Sequence, residues 1–120
     1  MEKILLFQIK ETEQIRRLAA RMKIKVCCID TNCYKETLKS LYQGVTVPSE
    51  EYQGDAPSES LMVFCNIPEK KFDKMLAALK KEHIYPDYKA VMTPTNANWN
   101  ILRLYFEMEK EKKAYGLSGN

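Results

Sequence analysis

Apolar and polar positions fall into blocks along the chain, and these blocks predict strands and helices in regular alternation. Four short apolar runs have the length and composition of buried strands: residues 4–9, 24–29, 61–66 and 88–92. Two segments repeat apolar residues at i, i+3, i+4 and i+7, the spacing of one buried helical stripe: Ile15, Leu18, Ala19 and Met22, and then Phe72, Met75, Leu76 and Leu79. A short helix is predicted around residues 34–42 and a long one over residues 97–115.

This alternation predicts an α/β fold in a single domain of residues 1–120. Strand–helix–strand units favour parallel pairing with right-handed crossovers. We therefore expect a four-stranded, largely parallel sheet in the order 2-1-3-4, with helices on both faces. The alternative is a ferredoxin-like α+β sheet, if the middle loop lets the third strand run antiparallel.

The two halves of the chain have similar patterns, which predicts an internal repeat of residues 1–43 and 61–115. Each half reads as strand, helix, strand, Thr-Asn corner and helix. The aligned pairs are Phe7 with Phe64, the four apolar positions of each amphipathic segment, Thr31-Asn32 with Thr95-Asn96, Leu38 with Leu102, and Tyr42 with Phe106.

Residues 44–60 form an acidic loop between the halves. The loop contains Pro48, Gly54 and Pro57, four acidic residues and no lysine or arginine. Because the whole chain carries +3 and this segment −4, the remainder carries +7. The composition predicts that this is the most mobile internal segment.

The corner Thr93-Pro94-Thr95-Asn96 leads from the fourth strand into the last helix. Pro94 fixes its own φ and pushes Thr93 to an extended conformation. Thr95 and Asn96 are residues that commonly cap helices, and Thr31 and Asn32 precede the short helix in the same way. We predict helix caps at both corners, with anion binding by unpaired backbone donors as the alternative.

A ligand site is predicted where strands 1 and 3 end, because ligands of open α/β sheets bind at the carboxyl ends of strands. The candidate ligand-binding residues are Gln8, Lys10, Asn66 and Lys70, flanked by Thr31, Asn32, Thr95 and Asn96.

The last helix carries two apolar stripes on nearly opposite sides. We assign the stripe of Trp99, Leu102, Tyr105 and Phe106 to the core, because Leu102 and Phe106 align with Leu38 and Tyr42. The second stripe is then an exposed interface for a homodimer. Its residues are Ile101, Leu104, Met108 and Tyr115. The alternative is that Val45, Val47 or the tail folds back over it.

The chain offers little material for catalysis or metal binding. Its four cysteines contain no Cys-x-x-Cys pair, and His83 is the only histidine. The sequence has no Gly-rich phosphate loop and no nucleophile elbow. We therefore predict no catalytic residue, metal or cofactor. No apolar run approaches the roughly 20 residues of a membrane span, and residues 1–7 do not read as a signal peptide. These features favour a cytoplasmic protein.

The second half of the chain resembles a bacterial family of domains of unknown function, DUF3783. The features that carry the resemblance are the strand 61–64, the helix after Pro68, residues 89–92 and the pattern Thr93-Pro94-Thr95-Asn96-x-x-Trp99. The resemblance implies a bacterial protein but no activity. The first half keeps Thr31-Asn32, but it has no proline before them and has Lys35 where Trp99 aligns.

Together these features favour a non-enzymatic interaction or regulatory module that forms a homodimer or binds another protein. Binding of a small anionic ligand or nucleotide at the strand ends is the alternative. A third possibility is RNA or DNA binding through the basic faces of the helices around residues 16–21 and 70–81. No aromatic residue interleaves with those lysines, as a stacking platform for single strands would need.

Overall fold

The computed structural model describes the backbone of residues 1–117 and the side chains of residues 1–113. The elements in chain order are β1 (Lys3–Phe7), α1 (Thr12–Ala20), β2 (Lys25–Cys28), α2 (Leu38–Tyr42), β3 (Leu61–Cys65), α3 (Glu69–Lys81), β4 (Tyr88–Val91) and α4 (Ile101–Leu117). Short 3₁₀ helices lie at Thr31–Cys33 and Asn96–Asn98.

The chain divides into two compact units, each assembled from two separate stretches. The first unit contains Met1–Asp30 and Ser58–Met92, and the second contains Thr31–Pro57 and the chain from Thr93 onward. The division therefore does not follow the predicted boundary between the two halves. The single domain and the duplication both stay predictions.

The first unit contains the sheet, and its order β2-β1-β3-β4 confirms the predicted order 2-1-3-4. The pairs β1–β2 and β3–β4 are parallel, so the sheet is largely parallel as predicted. The central pair β1–β3 is antiparallel, with Leu5 opposite Val63. β3 thus runs antiparallel to β1, as the alternative ferredoxin-like prediction allowed. The strand order is that of the main prediction.

Helices α1 and α3 pack on one face of this sheet and form its core. The amphipathic pattern of α1 is confirmed, because Ile15, Leu18 and Ala19 are buried. In α3 the buried positions are Met75 and Leu79. The sheet contributes Ile4, Leu6, Met62 and Phe64 to the same cluster. The alternate strand side chains are also buried: Leu5, Phe7, Leu61, Val63 and Cys65.

Both core helices end in the same hydrogen-bonded motif. Lys23 and His83 each adopt φ 58° after the helix. The next residue donates its N–H back five positions, from Ile24 to Ala19 O at 3.0 Å and from Ile84 to Leu79 O at 2.9 Å. This is the Schellman arrangement, whose apolar contact comes from the residue after the left-handed one. Ile24 and Ile84 are accordingly buried.

The second unit joins α2 to the start of α4. Thr37 and Asn100 form an isolated antiparallel bridge, and Leu38 N donates to Trp99 O at 2.9 Å. The rings of Tyr34 and Tyr105 stack with centroids 6.0 Å apart. Burial raises the pKa of the Tyr34 hydroxyl, while a hydrogen bond with Tyr105 lowers it.

The predicted helix caps are wrong, because each helix begins several residues later than predicted. The side chain of Asn100 caps α4 by accepting from Arg103 N at 2.8 Å. The side chain of Thr37 caps α2 by accepting from Ser40 N at 3.1 Å. Thr31-Asn32 and Asn96 instead lie in the 3₁₀ helices. The extended backbone of Trp99, with φ −82° and ψ 143°, separates the second of these from α4.

The assignment of the two stripes of α4 is also wrong. Ile101 and Leu104 are 0% and 2% exposed, so they are core residues and not an interface. Phe106, assigned to the core, is 59% exposed. Tyr105 was correctly assigned to the core. The error follows from the alignment. The residue after each cap is buried, which matches Leu38 with Ile101 rather than with Leu102. Met108 is partly buried, and the side chain of Tyr115 lies outside the described residues.

Residues 44–57 of the acidic loop form no strand or helix and are held within the second unit by polar contacts. Lys35 pairs with Glu50 at 2.8 Å. Glu36 accepts from Ser49 N at 3.1 Å and from Ser49 Oγ at 2.9 Å. Tyr52 N donates to Asn32 O at 3.0 Å. The mobility of this segment stays a prediction.

Candidate interaction surface

The residues predicted to bind a ligand at the strand ends are not brought together. Gln8 follows β1 and Asn66 follows β3, both exposed and both in the left-handed region with φ 58° and 57°. Because β1 and β3 are antiparallel, Phe7 lies opposite Leu61 and Lys3 opposite Cys65. The two strand ends are therefore separated by the length of a five-residue strand, about 13 Å. Lys10 and Lys70 follow these separated ends, so one crevice shared by all four residues is wrong.

The four flanking residues of that prediction lie in the second unit. Thr31 and Thr95 are exposed, and Asn32 and Asn96 are partly buried. The Oδ1 atom of Asn32 is buried and has no hydrogen-bond partner among the described residues. Ligand binding by these residues stays a prediction.

At the corner before α4, backbone N–H groups donate hydrogen bonds to acceptors within the corner itself. Asn96 N donates to Thr93 Oγ1 at 3.1 Å, and Thr93 N donates to Asn96 Oδ1 at 2.8 Å. This reciprocal pair has the form of a capping box around Pro94. Ala97 N donates to Thr93 O at 3.0 Å, and Trp99 N donates to Asn96 O at 3.0 Å. These four donors are therefore occupied within the chain.

Partly buried Trp99, just before α4, and exposed residues of α4 place aromatic rings and cations in alternation. We call Trp99, Arg103, Phe106 and Lys110 the aromatic–cation stripe. The Arg103 guanidinium carbon lies 4.5 Å from the centroid of the Trp99 ring. Lys110 Nζ lies 5.4 Å from the centroid of the Phe106 ring. Such cation–π contacts hold the side chains over one another along the helix.

The position of this stripe follows from the start of α4 at Asn100. At 100° per residue, Phe106 lies nearly opposite Leu104, which is buried. The stripe therefore lies on the side of the helix away from the core. A sequence signal for this arrangement exists. Asn100 is a favoured cap residue, and Ile101, Leu104, Tyr105 and Met108 then follow at i, i+3, i+4 and i+7, as in α1.

Acidic side chains flank the stripe. Glu107 Oε2 lies 3.7 Å from Lys110 Nζ, and Glu109 Oε1 lies 3.5 Å from Lys113 Nζ. The surface around Phe106 thus combines an exposed apolar ring with both signs of charge. Aromatic residues and arginine carry much of the binding energy of protein interfaces, so this surface is chemically suited to another protein surface.

The cysteine and histidine side chains, which are candidate nucleophiles and metal ligands, do not form a cluster in the part of the chain that the structure describes. All four cysteines are free thiols. Burial raises the pKa of the Cys65 thiol to about 12, so it stays protonated at neutral pH. Exposed Cys28 accepts from Arg16 Nη2 at 3.5 Å. His83 Nδ1 lies 3.5 Å from the Tyr85 hydroxyl. Within residues 1–117, no group of three histidine, cysteine or acidic side chains can hold a metal ion.

In the part of the chain that the structure describes, no helix combines the length and apolar character needed to cross a membrane.

Comparison with known proteins identifies one region. Residues 60–115 match the model of a domain of unknown function, DUF3783. Neither the curated proteins nor the solved structures with which the chain was compared include a match. The matched region contains β3, α3, β4 and nearly all of α4. This match supports the resemblance of the second half of the chain to the DUF3783 family.

Proposed function

We propose that the protein is a non-enzymatic interaction module that forms a homodimer through the aromatic–cation stripe of α4. The observation that carries the proposal is the 59% exposure of Phe106 in the middle of a long helix. Exposed apolar patches on proteins in water often mark interaction sites. This proposal keeps the C-terminal helix as the interface but uses the side opposite to the one predicted from the sequence.

A second copy of the chain is the partner that the charges favour. Arg103 and Lys110 provide positive charge beside Phe106, and Glu107 and Glu109 provide negative charge nearby. A surface that carries an apolar centre and both signs of charge can complement itself. A symmetric dimer also buries Phe106 of both copies without leaving a free interface that would promote further growth.

The proposed location is the cytoplasm of a bacterium. The four free cysteines support a reducing compartment, since disulfides form and persist in oxidising ones. The bacterial assignment rests on the family resemblance of the second half.

The proposal is tested by measuring the molar mass of the protein by sedimentation equilibrium, from low to high micromolar concentration. We expect a dimer in wild type and a folded monomer for Phe106→Glu, because a charge at the centre of the interface would be desolvated. Val47→Glu is the matched control, since Val47 is 81% exposed in the same unit and lies outside the stripe.

A wild-type chain that stays monomeric at high micromolar concentration would overturn the homodimer. Equal effects of Phe106→Glu and Val47→Glu would overturn the role of the stripe. Circular dichroism of each variant checks that the fold is retained.

A further inference from the structure

A cleft lies beside the two core helices of the first unit. Its volume is about 140 Å³, and it is lined by Gln14, Arg17, Leu18, Arg21 and Glu82. The first four residues belong to α1 and the residue after it, and Glu82 follows the last residue of α3. The cleft therefore lies where the C-terminal ends of α1 and α3 approach each other.

The two arginines of the cleft are one helical turn apart and have no partner. Like charges at i and i+4 destabilise a helix. Within residues 1–117, neither Arg17 nor Arg21 forms an ion pair, and the side chain of neither forms a hydrogen bond. The neighbouring Arg16 differs, because its guanidinium donates to Val26 O at 3.0 Å and to Cys28 Sγ. Arg17 and Arg21 are thus the arginines of α1 whose donors stay available.

The carboxylate of Glu82 lines the same cleft but does not neutralise either arginine. No nitrogen of Arg17 or Arg21 lies within 4.0 Å of its oxygens, since such a pair would be a salt bridge. The side chains that line the cleft, with two guanidinium groups and one carboxylate, have a net charge of +1, and the helix C-termini add a smaller partial negative charge. It combines many hydrogen-bond donors with a single charged acceptor. A complementary ligand is an anion that also carries a proton to donate.

The volume of the cleft restricts the size of this ligand. A space of about 140 Å³ can hold several water molecules. Pockets for drug-sized ligands have volumes of about 300–1,000 Å³. A tetrahedral oxyanion fits this space, whereas a nucleotide would extend beyond it.

We propose that this cleft binds inorganic phosphate, with Arg17 and Arg21 holding its charged oxygens and Glu82 accepting its remaining proton. Guanidinium groups match phosphate oxygens with paired, charge-assisted hydrogen bonds. An ionised glutamate can only accept hydrogen bonds. Phosphate keeps at least one proton throughout the neutral range, so it can donate to Glu82. Sulfate has no proton there and would place an unprotonated oxygen against a carboxylate.

The same proton separates free phosphate from a phosphate ester. A monoester has a second pKa near 6, so at pH 8 it has lost its last proton and resembles sulfate. The cleft should therefore prefer inorganic phosphate to glycerol phosphate at that pH. This selectivity is a property of the first unit and is independent of the proposed homodimer.

The test is a titration of the ¹⁵N-labelled full chain followed by NMR, with ionic strength held constant by sodium chloride. At pH 8 we expect saturable shifts around residues 14–21 and 82 with phosphate. Sulfate and glycerol phosphate should each bind about tenfold more weakly, since each sets an unprotonated oxygen against Glu82.

Three variants make the test specific. Arg17→Gln with Arg21→Gln should abolish phosphate binding. Glu82→Gln should raise the affinity for sulfate towards that for phosphate, because a carboxamide can donate to an unprotonated oxygen. Lys74→Gln is the matched control, since Lys74 is exposed on α3 and does not line the cleft. It should leave all affinities unchanged.

Equal affinity of the wild-type chain for phosphate and sulfate would overturn the proposal. A loss of phosphate binding in Lys74→Gln would overturn it as well, because binding would then follow the overall charge. Shifts confined to residues outside the cleft would have the same meaning. The resonances of β1 and β3, which belong to the same unit and do not line the cleft, serve as an internal check that each variant is folded.

Discussion

The two strand–helix–strand segments of the first unit have the same order of elements and similar turns, built from different residues. Residues 3–28 form β1, α1 and β2, and residues 61–91 form β3, α3 and β4. In both, a left-handed residue follows the first strand and another follows the helix. In both, the helix end is closed by a buried isoleucine, Ile24 or Ile84. The main difference is length, since α1 has 9 residues and α3 has 13.

This difference shows which contacts fix the fold of each segment. The added residues of α3 lie between two backbone conformations that both segments share. These are the turn after the first strand and the Schellman end of the helix. Counted from that end, Ile15 corresponds to Met75, and both are 0% exposed. The alignment at one sequence offset paired Ile15 with Phe72 instead. The buried residues at the helix ends therefore show which positions of the two segments correspond. A constant sequence offset does not show this.

The largest effect on stability is expected for the isoleucines at the helix ends. Ile24→Ala and Ile84→Ala should each reduce the free energy of unfolding by about 2–5 kcal/mol, because each removes a buried side chain. The two losses should agree within experimental error if the helix ends are equivalent. Denaturation by urea measures both. Ala77→Ser, at an exposed position of α3, is a control that should have little effect. A large loss in one half and a small loss in the other would break the equivalence.

A second prediction concerns the caps of the second unit, where the two halves of the sequence also correspond. Asn100→Ala and Thr37→Ala should each reduce the free energy of unfolding by about 1 kcal/mol, because each removes an acceptor for an orphan N–H. Thr95→Ala should be neutral, since its side chain makes no capping hydrogen bond. The same denaturation experiment applies. A neutral Asn100→Ala beside a costly Thr95→Ala would contradict the assignment.

The smallest predicted effect distinguishes the left-handed residues after the two core helices. Asparagine and histidine tolerate this conformation better than lysine does. Lys23→Asn should therefore raise the free energy of unfolding by about 0.5 kcal/mol, whereas His83→Asn should change it less. Lys25→Asn is the control for loss of the charge in an exposed strand position. A destabilised Lys23→Asn would show that the lysine has a role that its backbone conformation does not explain.

The strand order and the core of the first unit were predictable because they depend on local patterns. Alternating elements and the spacing of Ile15, Leu18 and Ala19 fix which sides are buried. The direction of β3 was not predictable, because the long connection from Tyr42 to Leu61 can return the chain at either end of the sheet. This direction then separated Gln8 from Asn66 and removed the predicted crevice.

Whether the aromatic–cation stripe could be predicted from the sequence depended on the residue at which α4 begins. Thr95, Asn96 and Asn100 are all suitable caps, and propensity alone does not choose among them. The side chain of Asn96 is engaged with Thr93, and Trp99 is extended, so α4 can begin only after them. Moving the expected start changed which stripe was matched to α2, and Phe106 was therefore placed in the core. The α1–α3 cleft depends on residues far apart in sequence, Arg21 and Glu82, which no local pattern connects.

The antiparallel pairing of β1 with β3 has a consequence for the symmetry of the first unit. Leu5 faces Val63 at the middle of the pair, and the register extends equally to both sides. The pairing of the two central strands is therefore two-fold symmetric about this point. A shorter chain with only one such segment would present its first strand as an open edge that a second molecule could pair with in the same way. The centre of the sheet is therefore an edge-to-edge pairing of two strand–helix–strand segments.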